Sequence, residues 1–177
     1  IAESMRRLRT ERLDLLQIHN LLDWETHLPL LRALREQGKV RHLGITHYAL
    51  GSFGELERIL RNERVDSVQL PYSLAVRAAE TRLLPAAADT GTAVLVMRPF
   101  EEGELFARVK GKPVPPWATE RGFESWAQLF LAFILAHPAV TCVLPATAKA
   151  HHLAENVRAG TGPELDAELR KKLLAEL

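Results

Sequence analysis

Four apolar runs open near residues 13, 41, 66 and 93, in steps of 28, 25 and 27 residues, and a fifth opens near 140. Each step holds one strand, one helix and their connections, so the spacing predicts repeated βα units around a parallel sheet. The predicted strands are Leu13–Ile18, Val40–Thr46, Val65–Leu70, Ala93–Val96 and Val140–Leu144. Helical periodicity fills the gaps, over 1–8, 26–37, 52–60, 78–89, 123–136, 150–159 and 163–177. Gly38 is placed to close the second of these helices. Ser52, with Glu55 three residues on, reads as a capping box for the third. Residues 99–122 hold Pro99, Pro113, Pro115, Pro116 and three glycines, and read as a long active-site loop.

Two architectures satisfy this pattern: an open five-stranded doubly wound sheet, or five-eighths of a (β/α)8 barrel. No strand is followed by a Gly-rich phosphate turn or a GxSxG elbow, which counts against the first. A whole barrel takes about 250 residues, which counts against an intact second. The chain has 177 residues, begins with Ile1 rather than Met, and enters a helix with no capping residue before it. These features lead us to expect a single domain, 1–177, excerpted from a longer protein.

Composition narrows the partners. Lys and Arg total 23 against 22 acidic residues, a net charge of +1, so no global field draws the chain to nucleic acid or to an anionic membrane. The longest apolar stretch, from Trp126 to Ala136, is about half of the roughly 20 residues a bilayer requires. Cys142 is the one cysteine and has no CxxC or zinc-like spacing around it, so a reducing, cytoplasmic setting is expected.

Ligands bind at the carboxyl ends of strands in both architectures, which directs attention to the first polar residues after each run. These are His19, then Thr46 and His47, then Gln69, then Met97 and Arg98, and finally Thr147 with Lys149 beyond it. His27, His42 and His137 lack that placement and read as structural or solvent-facing. Metal-dependent hydrolysis would need carboxylates beside His19 and His47, and no strand ends on one. Cys142 lies inside an apolar run with no cation to lower its pKa, so nucleophilic catalysis by its thiol is not expected. A site that hydrogen-bonds an amide-bearing cofactor and a carbonyl substrate suits the residue types present.

Several ordered stretches carry a resemblance. They are Leu13-Asp14-Leu15-Leu16-Gln17-Ile18-His19-Asn20, Gly38-Lys39-Val40-Arg41 with Gly44-Ile45-Thr46-His47, Gln69 with Tyr72, Val143-Leu144-Pro145-Ala146-Thr147, and Glu155-Asn156. Together they resemble the aldo-keto reductase family over essentially the whole chain. The resemblance implies a (β/α)8 TIM barrel, incomplete here, entered at the helix before the fourth strand, with about five βα units and a C-terminal helix. It also implies NADP(H)-dependent reduction of an aldehyde or ketone to an alcohol, with NAD as the alternative cofactor. In that family a Tyr made acidic by a Lys and an Asp donates the proton, and a His orients the carbonyl. The His maps to His19. Thr46, His47 and Gln69 fall where the family binds the nicotinamide carboxamide, and Glu155 and Asn156 where it holds the adenine. The family's Tyr, Lys and Asp lie on units before Ile1, so neither Tyr48 nor Tyr72 takes that role, and this chain is expected to be inactive alone.

Departures from the family pattern accompany the match. Met97 stands where an aromatic usually stacks on the nicotinamide. His47 stands where Asn is common, and Ala146 and His152 where Lys and Arg often meet the 2′-phosphate, with Lys149 and His151 nearby. Trp117, Arg108, Lys110 and Lys112 in the long loop are candidates for contact with substrate or cofactor phosphates. A small carbonyl substrate is the expected partner, with self-association through exposed sheet edges. The alternative of another class is a non-catalytic nucleotide-binding or interaction subunit with the same fold, and below it stands the metal-dependent barrel hydrolase.

Overall fold

The computed structural model describes residues 1–177. It opens with α1 (Ala2–Leu8), β1 (Leu13–His19), α2 (Trp24–Glu36), β2 (Val40–Thr46), α3 (Phe53–Glu63), β3 (Ser67–Pro71), α4 (Leu83–Thr90) and β4 (Ala93–Met97). After these come α5 (Glu104–Arg108), α6 (Pro116–Thr119), α7 (Trp126–Leu135), β5 (Cys142–Val143), α8 (Ala150–Ala159) and α9 (Ala167–Leu174). The five strands form one parallel sheet in the order β1-β2-β3-β4-β5, as consecutive βα units require. It is a partial barrel wall rather than a doubly wound sheet, since the strand order never reverses.

Register sorts the side chains. Ile18, Leu43, Ile45, Val68, Leu70, Val94 and Val96 are buried toward the helices and join one cluster of 35 buried apolar residues. The alternate residues face the concave side. There the ladder pairs His19 with Thr46, Thr46 with Gln69, and Gln69 with Leu95. One rung below, it pairs Gln17 with Gly44, and Gly44 with Ser67. A Cβ on Gly44 would collide with Ser67 Oγ and lie 2.9 Å from Gln17 Cγ, so glycine lets these two polar side chains close over β2.

Local chemistry sets the boundaries and corrects several expectations. Gly38, at φ 73°, ends α2 as foreseen: its N–H donates to Arg35 O and that of Lys39 to Leu34 O, a Schellman closure. Ser52 makes no capping bond, because a 3-10 turn over Leu50–Ser52 runs straight into α3. Glu55 instead accepts from Arg58 and, at 3.0 Å, from Trp24 Nε1, tying α3 to α2. The stretch 99–122 is not one open loop, since it contains α5 and α6. Pro116 opens α6 at the first helical position, where its missing N–H costs nothing.

Helices α7 and α9 have the caps. Ser125 Oγ accepts from Gln128 N at 3.2 Å, and Gln128 Oε1 accepts from Glu124 N at 2.8 Å. Asp166 accepts from Leu169 N at 2.8 Å, so α9 starts four residues later than its periodicity suggested. β5 shrinks to two residues. Thr141 Oγ1 accepts from Val94 N at 3.0 Å where a ladder carbonyl would stand, and Pro145 has no N–H to prolong the ladder.

A polar clasp fixes α9 to the sheet. Tyr72 is fully buried and donates to Glu80 Oε1 at 2.7 Å, while Arg170 reaches the same phenol at 2.6 Å and Glu80 at 3.0 Å. Burial and the Glu80 bond push the phenol's pKa well above its ordinary 10. Burial alone would raise Glu80, but bonds from Arg77 and Tyr72 outweigh it and hold the carboxylate below its ordinary 4.5. His137 meets the Tyr72 ring edge-on at 6.0 Å, a structural place as foreseen. No helix is long and apolar enough to cross a membrane.

Two outcomes follow for stability. Gly44→Ala forces Ser67 and Gln17 aside and lowers unfolding free energy by about 1–3 kcal/mol in urea melts. Burial and the Arg170 charge hold His137 below its ordinary 6.5. The unfolded chain therefore binds a proton that the folded chain excludes, and stability falls as pH drops through 6.5. Glu80 adds a second loss as pH falls past 4.5 toward its lowered folded value. Urea midpoints taken from about pH 8 to about pH 5 will show the first limb, and His137→Asn will flatten it.

Candidate functional site

Two groups of polar residues stand at the carboxyl ends of the strands. The first is the concave-side row of His19, Thr46 and Gln69 on three adjacent strands, neighbours about 4.8 Å apart by the spacing of a sheet. His19 is exposed at the free edge of β1, beside a groove of about 280 Å³ whose walls include Leu16, Leu22 and Leu30. Thr46 is buried at 5% exposure. His47 points its Nδ1 at the Ala49 N–H, 3.0 Å away, so its neutral ring carries the proton on Nε2. Its own backbone N–H donates to Gln69 O at 3.3 Å, which locks the ends of β2 and β3 together.

A cation and two rings roof this end of the sheet. Tyr48 stacks on His47 at 5.5 Å, and the Arg98 guanidinium lies 5.1 Å from the Tyr48 ring centre. Tyr48 follows β2 and Arg98 follows β4, so their contact must pass over the end of β3 between them. Arg98 holds a left-handed φ of 54° and pairs with Glu102 at 3.1 Å. Met97 closes β4 opposite Pro71, its carbonyl accepting from Tyr72 N at 3.4 Å.

The second group lines a cavity of about 420 Å³ just past the ends of β4 and β5. Thr147, His152, Glu155 and Asn156, all singled out in the sequence, lie on one side of it. Phe100, Phe106 and Trp126 form the apolar wall, and Ser125 marks the start of α7 there. These wall residues escaped the sequence reading, although the Ser125-to-Gln128 cap at the start of an otherwise apolar helix was a signal for them. Thr147 Oγ1 accepts from the N–H of Lys149 at 3.2 Å, turning the chain into α8, whose first turn has no side-chain cap. Lys149 is exposed at that helix start, and the His151 and His152 rings meet edge-on at 4.3 Å.

Other candidates go elsewhere. Trp117 Nε1 donates to Glu176 Oε1 at 3.1 Å and Lys112 Nζ to Glu176 O at 3.2 Å, so both face α9 rather than the cavity. Cys142 takes the row position beside Leu95, and burial raises its thiol pKa. No three His, Cys, Asp or Glu side chains converge as a metal would need.

Comparison with known proteins gives one answer. The aldo/keto reductase family matches residues 1–173. An uncharacterized oxidoreductase of Schizosaccharomyces pombe is 28% identical over 96% of this chain and 54% of its own length. The NADH-specific methylglyoxal reductase of Escherichia coli is 28% identical over 72% of this chain and 40% of its own. Among solved structures, an aldo-keto reductase from Klebsiella pneumoniae in complex with NADPH superposes with a TM-score of 0.78 at 26% identity. That alignment covers 99% of this chain and 62% of the Klebsiella protein, so the chain spans between 40% and 62% of the length of these relatives. Strand order and sequence match agree: the chain belongs to the aldo/keto reductase family.

Proposed function

We propose that this chain forms the cofactor-binding and carbonyl-orienting side of an NADP(H)-dependent oxidoreductase that reduces an aldehyde or ketone to an alcohol. The observation that carries the proposal is the cavity bounded by Thr147, His152, Glu155 and Asn156. Its size falls within the roughly 300–1,000 Å³ of small-molecule sites, and its aromatic wall suits a flat heteroaromatic ring. The uncapped first turn of α8 leaves N–H groups open to a phosphate, with Lys149 beside them. Glu155 and Asn156 offer an acceptor and an amide to an adenine edge.

Bound at these sites, a nicotinamide supplies the hydride. His19 then points a ring N–H toward the carbonyl oxygen and steadies the charge that develops there. Thr46, Gln69 and the Nε2–H of His47 hold a carboxamide at the end of the sheet, while Met97 and Arg98 close the other side. Neither tyrosine is the proton donor in this reading. Tyr72 is consumed in the clasp with Glu80 and Arg170, and Tyr48 lies in the roof beneath Arg98. The Klebsiella enzyme's NADPH complex supports the cofactor class, and the NADH-specific E. coli relative keeps NAD as the alternative. A cytoplasmic setting and self-association through the free edges of β1 and β5 belong to the same proposal.

Binding and turnover separate the readings. NADPH fluorescence will saturate on the 177-residue chain, and Lys149→Glu will raise the NADPH Kd about tenfold while leaving NADH binding unchanged. Equal losses for both nucleotides would remove α8 as the 2′-phosphate site. Carbonyl reduction by this chain alone will run about 10²–10⁴ below that of a longer family member carrying the proton-donating Tyr. Turnover at a family rate would defeat that expectation. Saturable binding without turnover, even alongside a separately supplied Tyr-bearing barrel half, would favour the non-catalytic nucleotide-binding subunit.

A further inference from the structure

We propose that Trp117 and Glu176 form a latch through which α9 holds the aromatic wall of the cavity closed, and so sets how long a bound nucleotide stays. The inference rests on the cavity being a nucleotide site. The contacts run in one line from the end of α9 to the wall. Glu176 Oε1 accepts from Trp117 Nε1 at 3.1 Å, and the Glu176 backbone carbonyl accepts from Lys112 Nζ at 3.2 Å. The Lys172 ammonium lies 5.3 Å from the Trp117 ring centre, a cation–π contact one helical turn before Glu176. Lys112 in turn offers its own carbonyl to Trp126 Nε1 at 3.0 Å. Trp126 lines the cavity.

The same segment reaches the cavity from its other end. Phe106 packs on Phe100 at 5.0 Å and on Phe130 at 5.7 Å, and Trp126 meets Phe130 at 5.8 Å. Residues 100–117 are therefore pinned twice, by aromatic packing at the cavity and by hydrogen bonds and a cation at α9. Phe106 is half exposed, at 39%, so packing alone leaves the wall partly open to water. The α9 contacts supply directional restraint that packing lacks, and they come from a helix that does not line the cavity itself. Trp117 and Glu176 are thus positioning residues, acting through Lys112 and Trp126.

Stopped-flow release of NADPH and amide exchange across 104–117 test the latch on the 177-residue chain. Trp117→Phe keeps a ring and removes the donor, and Glu176→Ala removes the acceptor. Each will speed release about fivefold, the scale of one hydrogen bond, and will raise exchange across the segment. Glu176→Gln keeps a side-chain carbonyl and will release NADPH at the parent rate. The double variant will be no faster than either single change, because both remove the same bond. The latch is overturned if release or exchange in Trp117→Phe and Glu176→Ala matches the parent. It is also overturned if Glu176→Gln behaves like Glu176→Ala, or if the two effects multiply. If the parent binds no NADPH, the nucleotide reading of the cavity fails, and the exchange measurement alone then decides whether α9 restrains the wall.

Discussion

The strand-end chemistry depends on the parallel hydrogen-bond register that runs from β1 to β5. Registered residues on neighbouring strands point the same way, so one ladder presents His19, Thr46 and Gln69 together although they are 27 and 23 residues apart in sequence. A slip of one residue on β2 would turn Thr46 toward the helices and bring Ile45 into the row. Gly44 guards against that slip. Its bare Cα is the one surface over which Gln17 and Ser67 can close, and no neighbour on β2 could replace it.

Beneath the sheet, α7 takes the opposite role to the polar strand ends. Every residue from Trp126 to Ile134 is buried, so the helix has no solvent face, and its position is fixed by packing on all sides. Such a helix needs a defined start, which Ser125 and Gln128 provide by bonding each other's turn. The capped start brings Ser125 and Trp126 to the cavity. The most apolar element of the chain thereby contributes to the cavity at the ends of β4 and β5. Arg170 performs a related service for α9, since its guanidinium lies 4.4 Å from the Phe133 ring centre while it bonds Tyr72 and Glu80.

Much of this was legible in the sequence because it rests on local period. The recurring apolar runs gave the five strands, and the first polar residue after each run located the row and Thr147, whereas the strand order and the places of His152, Glu155 and Asn156 followed from the family resemblance. Gly38 announced the Schellman turn because the left-handed residue there favours glycine. What stayed hidden depends on partners distant in sequence. Ser52 and Glu55 have the spacing of a capping box, but Trp24 and Arg58 take the Glu55 carboxylate. The prolines of 99–122 looked like breakers, yet Pro116 starts a helix. Lys112 and Trp117 had the chemistry to meet phosphates, and only the fold turns them to Glu176. Tyr48 and Arg98 likewise meet only because the fold brings both over the end of β3.

The brevity of β5 has a consequence for how order is distributed. Two residues, Cys142 and Val143, join the ladder, and the flanking backbone bonds are Thr141 N to Val94 O and Leu144 N to Val96 O, both 2.9 Å. The helix that follows, α8, buries only Asn156 and Ala159. Strand and helix together form a unit with little apolar burial, the kind of unit that opens locally more easily than a deeply packed core. The cavity straddles this unit and the deeply packed α7. Whatever fills the cavity bridges a thinly buried part of the molecule and a deeply packed one, so binding there adds stability to the last βα unit.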